Sequence, residues 1–244
     1  MRKQRTIMGM PVTIDIADKR AREEDINEVF SYFHHIDDKF SPYKESSEVS
    51  QINRGEVKHK SGEMEEIFML SEQTRNETMG YFDIYFSGKL DPSGIVKGYA
   101  ISNGAKILKK KGLKNFYVEI AGDIQVEGFN HEGKKWSVGI QNPFNLKEVI
   151  KILHLTNMGI ATSGNYRRGQ HILDPKLKKG ADDIASISVV AKDVFDADRF
   201  ATAAFAMGEA GINFLEKQKG LEGYLVTKTK RAILTSGFEK LTAN

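Results

Sequence analysis

The sequence contains no cysteine, and that one absence removes several chemistries at once. Thiolate nucleophiles, disulfides, cysteine zinc sites, iron–sulfur clusters and lipid-bearing cysteine anchors all need the residue. Any reaction of this chain must therefore run on oxygen and nitrogen groups. Long hydrophobic runs are missing as well, since no stretch approaches the ~18 apolar residues of a membrane span. The early uncharged stretch Thr6 to Ile14 is short, holds Pro11 and leads into Asp15 without a small-residue cleavage site. It is not read as a leader peptide, and the expected location is the cytoplasm.

Charge of one sign is also scarce. Thirty-six basic against 33 acidic residues leave +3 over 244 residues, too small an excess to imply a phosphate-backbone partner. The lysine runs Lys109 to Lys111 and Lys178 to Lys179 have no interleaved aromatics, so nucleic acid is not an expected partner. The five prolines are scattered, with no repeat, low-complexity tract or Pro-rich linker, and one domain over residues 1–244 is the expectation. Nowhere do two glycines stand two positions apart, which excludes the GxGxxG dinucleotide fingerprint. Gly88-Lys89 and Gly133-Lys134 are followed by Leu90 and Lys135, so neither is a GxxxxGK[ST] phosphate loop. His131-Glu132 lacks a second histidine four residues after the first, so it is no zinc-protease helix.

What is present is globular. Hydrophobic residues make up 40% of the chain and charged residues 28%, with 14 Phe and 8 Tyr, enough to bury a core and unlike a disordered chain. From Glu23 to Phe40, Ile26, Val29, Phe30, Phe33, Ile36 and Phe40 recur at helical steps and predict an amphipathic helix. A second helix starts near Met64 and ends by Gly80; a third runs from Ile95 to Lys111 with Gly112 as its left-handed cap. Lys109 to Lys111 read as a solvated helix end. Beyond Asn115 the runs Phe116–Ile120, Trp136–Ile140, Val149–Leu155, Ile184–Ala191, Tyr224–Thr227 and Ala232–Leu234 read as strands, and helix returns over Asp196 to Lys217. Short turns between strands suit antiparallel pairing, so the expected class is α+β, with largely antiparallel sheets packed against helices.

Four stretches combine polar with small residues. In Leu90 to Ala100, a turn feeds a helix start at which exposed amides and the Lys97 cation would meet an anion; the alternative is a helix capped by Asp91 or Ser93 with Lys97 in solvent. Ala161 to Gly169 offers Ser163, Gly164, Tyr166 and two arginines, either for a phosphorylated aromatic ligand or as a surface turn. His171 follows, a catalytic base or a structural imidazole, with Asp174 opening the next turn. In Asp196 to Gly208, a helix capped by Asp196 would carry Asp198 and Thr202 on one face. Two hard oxygens there suit Mg²⁺. The alternative is a pair of first-turn aspartates satisfying the helix dipole.

Taken in order along the chain, these stretches resemble the FAD:protein FMN transferase (ApbE) family. Met8-Gly9 resembles the family's Met-Gly-Thr opening, with Met10 in place of the threonine, and Ser41-Pro42-Tyr43 with Ser47 to Asn53 resembles its Ser-x-Tyr, Ser-Glu and Asn segment. Tyr81-Phe82-Asp83, Asp91 with Lys97-Gly98-Tyr99-Ala100, Ala161 to Gly164 with Tyr166, His171 with Asp174-Pro175, and Asp198 with Ala201-Thr202 follow in matching order and spacing. The resemblance implies an α+β enzyme that binds FAD with Mg²⁺ and transfers FMN to a threonine hydroxyl of an acceptor protein, releasing AMP. It implies that Met8, Tyr43, Tyr81, Phe82, Asp83, Asp91, Lys97 and His171 line the FAD site, with Ser163, Gly164 and Tyr166. By the same resemblance the Gly94 carbonyl, Asp198 and Thr202 hold the metal, and His171 or Asp198 accepts the proton. An FAD pyrophosphatase, or a non-catalytic flavin carrier, are the alternatives.

Departures from the family pattern are local. The segment between Asp83 and Asp91 is short, Gly94 stands where the family can have a side-chain ligand or alanine, Ala121-Gly122-Asp123 stands in place of a double glycine before the acidic residue, and Ser102 replaces a frequent Asp.

Overall fold

The computed structural model describes residues 1–85, 88–164, 173–174, 179–180 and 182–242. The chain opens with two strands, β1 (Arg2–Ile7) and β2 (Met10–Ile16), followed by three helices, α1 (Glu23–Phe40), α2 (Glu48–Asn53) and α3 (Gly62–Glu77). After α4 (Ser93–Lys110) come strands β3 (Phe116–Ile120), β4 (Asp123–Glu127), β5 (Trp136–Asn142), β6 (Asn145–Leu155) and β7 (Met158–Gly164). Two-residue strands β8 (Leu173–Asp174) and β9 (Lys179–Gly180) precede β10 (Ile184–Ala191). Helices α5 (Val194–Ala206) and α6 (Ala210–Glu216), strands β11 (Glu222–Thr227) and β12 (Ala232–Leu234), and a 3₁₀ turn at Phe238–Leu241 complete the order.

Eight strands form one sheet in the order β1-β2-β3-β4-β7-β10-β11-β12, and every pair in it is antiparallel. The class is α+β, as the strand spacing implied. Alternation along each strand sends side chains to opposite faces. On one face Val12, Ile14, Phe116 and Val118 pack against Ile26, Phe30 and Phe33 of α1 and Ile101 of α4. Ala161, Ile187 and Val189 continue that face under Ala197, Ala201 and Phe205 of α5. The other face, with Val126, Ile160, Val190 and Tyr224, is covered by the β5–β6 hairpin through Trp136, Val138 and Leu153, and by Phe238.

Several boundaries differ from the sequence expectation for identifiable reasons. The expected helix over Asp196 to Lys217 is two helices, because Gly208 adopts φ +64°, a left-handed conformation that glycine takes without a Cβ clash. The cap of α5 is Asp193, whose carboxylate accepts from Phe195 N at 2.9 Å. Asp196 lies inside the first turn, where its carboxylate pairs with Arg199. Neither Asp91 nor Ser93 is the cap of α4, which starts after Pro92; Asp91 instead accepts from Ser93 N at 3.0 Å in a tight turn. The lysines at the other end of α4 are exposed, as expected, and two of them also form surface pairs, Lys109 with Glu127 and Lys111 with Glu28 and Asp25.

The antiparallel order brings the β1–β2 turn, the β3–β4 turn and the C-terminal end of β7 to one end of the sheet. Helices α4 and α5 pack antiparallel against each other beside that end, with Gly94 near Thr202, Gly98 near Asp198 and Ser102 near Asp193. A Cβ on Gly98 would stand 2.7 Å from the Asp198 Cβ and 3.1 Å from the Phe195 Cα, so only glycine permits this approach. Ser102 Oγ, one turn further along α4, donates to Asp193 at 2.9 Å and ties the same two helices together.

Candidate functional site

Between these elements lies a cavity of about 460 Å³. The turn at Met8, where φ is +57°, supplies one wall with Met10. Tyr81, Phe82 and Asp83 supply another; Phe82 is buried, and Asp83 accepts from Tyr85 N at 2.8 Å. Tyr43 stands at the lip, 90% exposed. Asp91, Gly94 and Lys97 come from the start of α4, Ser163 and Gly164 from the end of β7, and Asp198 and Thr202 from α5. Thus Met8, Tyr43, Tyr81, Phe82, Asp83, Asp91, Gly94, Lys97, Ser163, Gly164, Asp198 and Thr202 all line this one cavity. Tyr166 and His171 lie outside the described residues.

The start of α4 is held in place by Asn53 of α2. Its side-chain amide accepts from Leu90 N at 2.8 Å and donates to Leu90 O at 2.9 Å, a two-point clamp on the backbone just before Asp91. The floor of the cavity is charged. Lys97 Nζ lies 2.7 Å from Asp123 Oδ2. This contact is an ion pair without an aligned hydrogen bond to that oxygen. The other oxygen of Asp123 accepts from Thr162 N at 3.1 Å. Asp198 accepts from Gly98 N at 2.7 Å. In a regular helix that amide would bond the Gly94 carbonyl, which here also receives Thr202 Oγ1 at 3.4 Å, a long and weak contact.

Burial pushes the Asp198 carboxyl up to about 7, and the adjacent Asp123 carboxylate pushes in the same direction. The Lys97 ammonium and the Gly98 amide oppose that rise without cancelling it. In a low-dielectric setting two neighbouring carboxylates and one ammonium are short of positive charge. The Gly94 carbonyl, the Asp198 carboxylate and the Thr202 hydroxyl are hard oxygen donors of the kind Mg²⁺ prefers, and a divalent cation would relieve the excess. Among the described residues no group of three His, Asp or Glu gathers as a metal cluster. A site here would rely on few protein ligands, with the rest coming from substrate oxygens.

Asp123 escaped assignment from the sequence, although the run Ala121-Gly122-Asp123 was visible as a departure. A carboxylate heading the otherwise uncharged run Asp123-Ile124-Gln125-Val126 was the available signal. Its partners Lys97 and Thr162 come from distant parts of the chain, and only the fold brings them near. Among the described residues no helix is long and apolar enough to cross a membrane.

The ApbE family model matches residues 8–88 and 86–225. An FAD:protein FMN transferase of Haemophilus influenzae is 35% identical over 167 residues, covering 63% of this chain and 48% of that protein. The Escherichia coli K12 protein of the same name is 28% identical over 149 residues, covering 57% and 42%. The chain spans about half the length of the curated relatives it matches. A structure described as flavin transferase ApbE from Vibrio cholerae superposes with a TM-score of 0.87 at 22% identity, over 99% of this chain and 98% of that one. That likeness shows a common fold.

Proposed function

The chain belongs to the ApbE family, and from that premise we propose that it transfers FMN from FAD to a threonine hydroxyl of an acceptor protein and releases AMP, with Mg²⁺ bound at the floor of the cavity. The observation that carries this reading is that one cavity gathers apolar and aromatic side chains together with a lysine, a carboxylate and a hydroxyl. Met8, Met10, Tyr81 and Phe82 suit a flat ring system, and Lys97 with the Asp198 and Thr202 oxygens suits a pyrophosphate bound with a cation.

Gly94 O, Asp198 and Thr202 Oγ1 would hold the Mg²⁺. When bound, the ion would neutralise pyrophosphate charge and so favour departure of AMP. The bond that forms joins the acceptor hydroxyl oxygen to the phosphorus on the FMN side. The bond that breaks joins that phosphorus to the bridging oxygen, and AMP leaves with the electron pair. Lys97 contributes a cation for the phosphate oxygens. Asp198 accepts from the Gly98 amide, and a carboxylate that holds a cation is a poor proton acceptor. We assign Asp198 to the cation. The proton of the acceptor hydroxyl then goes to His171, which lies outside the described residues.

Intact mass of an acceptor protein after incubation with this chain, FAD and Mg²⁺ tests the reading. A gain equal to FMN, with one AMP released per transfer, is expected. Free FMN and AMP with an unmodified acceptor would identify a pyrophosphatase instead, and saturable FAD binding without turnover would identify a carrier.

A further inference from the structure

We infer that Asp123 is the residue that positions the Lys97 ammonium for the pyrophosphate of FAD, an inference that rests on the reading of the cavity as an FAD site. Lysine is a flexible side chain, and an ammonium on a four-carbon stem beside an open cavity samples many rotamers unless something fixes it. Asp123 is suited to that task. It is only 1% exposed, at the first position of β4. It follows the Ala121-Gly122 turn, where both residues have positive φ, at +51° and +97°. One carboxylate oxygen is anchored to β7 by the Thr162 amide, so the other is held at a defined place, 2.7 Å from Lys97 Nζ. Thr162 and Ala121 themselves line the cavity, which makes the anchor part of its wall. An ammonium carries three donors, so a pair with Asp123 is compatible with donation to phosphate oxygens. Holding the cation in place before the ligand arrives reduces the ordering cost of binding.

A purely structural role is the competing account, in which Asp123 ties β4 to β7 through Thr162 and the pair with Lys97 is incidental. Asp123→Asn separates the two. Asparagine keeps an oxygen for the Thr162 amide and the same size, but it removes the charge that holds Lys97.

The test compares the wild-type chain with D123N, K97A and the double variant, at saturating Mg²⁺ verified for each. Affinities for ADP, which carries the pyrophosphate, and for riboflavin, which carries no phosphate, are measured with melting temperature as the folding control. D123N and K97A are each expected to weaken ADP binding at least about tenfold, as loss of one charged hydrogen bond does. The double variant should bind ADP no more weakly than K97A, and riboflavin affinity should not change. A folded D123N with wild-type ADP affinity overturns the proposal. So do losses that multiply in the double variant, because Asp123 would then act apart from Lys97. If D123N does not fold, D123S, uncharged and smaller, takes its place with the same expected outcomes. A wild type that binds ADP while K97A binds it equally well overturns this inference alone; a wild type that binds neither ADP nor FAD overturns the site reading and this inference with it.

Discussion

Asp198 and Arg199 are consecutive residues of α5, both buried and both ionisable, yet their surroundings are of opposite kinds. Arg199 is covered by partners on every side. Its Nε donates to Asp196 at 2.8 Å, Nη1 donates to Thr74 Oγ1 at 3.3 Å and pairs with Glu77, and the guanidinium lies 4.1 Å from the Phe200 ring centroid. The contacts with Thr74 and Glu77 fasten α5 to α3. Asp198 points the other way, towards α4 and the cavity, beside a second carboxylate. Its carboxyl is driven up to about 7 by burial first and by Asp123 among the neighbouring charges. A buried charge that serves the fold is matched by its neighbours. Asp198, for which a cation is proposed, is left short of matching charge, which is the pattern of a site that gives up stability for a ligand.

Four measurements separate the two residues. The largest effect concerns Asp198→Asn, which keeps size and the Gly98 hydrogen bond but removes the ligand charge. AMP release from FAD should fall at least about a hundredfold, since a bound metal contributes several kcal/mol to the barrier and each ~1.4 kcal/mol is tenfold. A steady-state AMP assay across a Mg²⁺ titration measures it. Unchanged turnover would place Asp198 with Arg199 as a residue of the fold.

The second outcome is a pH dependence in metal-free protein. Because the folded Asp198 carboxyl titrates near 7 rather than at its ordinary 3.8, its contribution to stability is fully present below pH ~4 and is lost as pH rises to ~7. Wild type should therefore lose up to a few kcal/mol relative to D198N across that window, because each tenfold difference in proton affinity between the folded and unfolded chain is worth about 1.4 kcal/mol. Parallel stability curves for the two proteins, from urea unfolding at several pH values, would contradict it.

Third, Arg199→Met should lower stability by ~2 to 3 kcal/mol. This is less than a fully buried pair would lose, because Glu77 and Asp196 are 37% and 41% exposed and regain water. Turnover per folded molecule should stay within about threefold of wild type, and a large catalytic loss would dissolve the distinction between the two neighbours. Gly98→Ala is the fourth and smallest effect. Its methyl group would crowd the Asp198 Cβ and the Phe195 backbone, costing ~1 to 3 kcal/mol by overpacking. Because the crowded group is Asp198 itself, Mg²⁺ affinity should fall along with denaturation midpoint, whereas R199M should lower only the midpoint.

The same contrast separates what the sequence disclosed from what it did not. Helix α1 was legible to the residue, because six apolar side chains repeat at helical spacing on one face. Strands β3, β10 and β12 were legible from their branched and aromatic runs. Strands β1 and β4 were not, since Arg2-Lys3-Gln4-Arg5 carries an edge strand's charge and β4 is short and begins with the site's own carboxylate. Asp198 and Thr202 were legible as a pair because helical periodicity is local. Asp123 and the Asn53 clamp depend on contacts across 26 and 37 residues or more, which no local pattern encodes. The cap of α5 was misassigned because Asp193 and Asp196 both suit a helix start, and only the pairing of Asp196 with Arg199 separates their roles.

Calorimetric titration of Mg²⁺ into metal-free wild type, R199M and D198N at about pH 7.5, just above the Asp198 titration, separates the proposed cation ligand Asp198 from its neighbour Arg199, which serves the fold. Wild type and R199M should bind Mg²⁺ with the same stoichiometry and similar affinity, and D198N should show no saturable heat in the same range. Equal Mg²⁺ binding by D198N and wild type would instead place Asp198 with Arg199 among the residues of the fold.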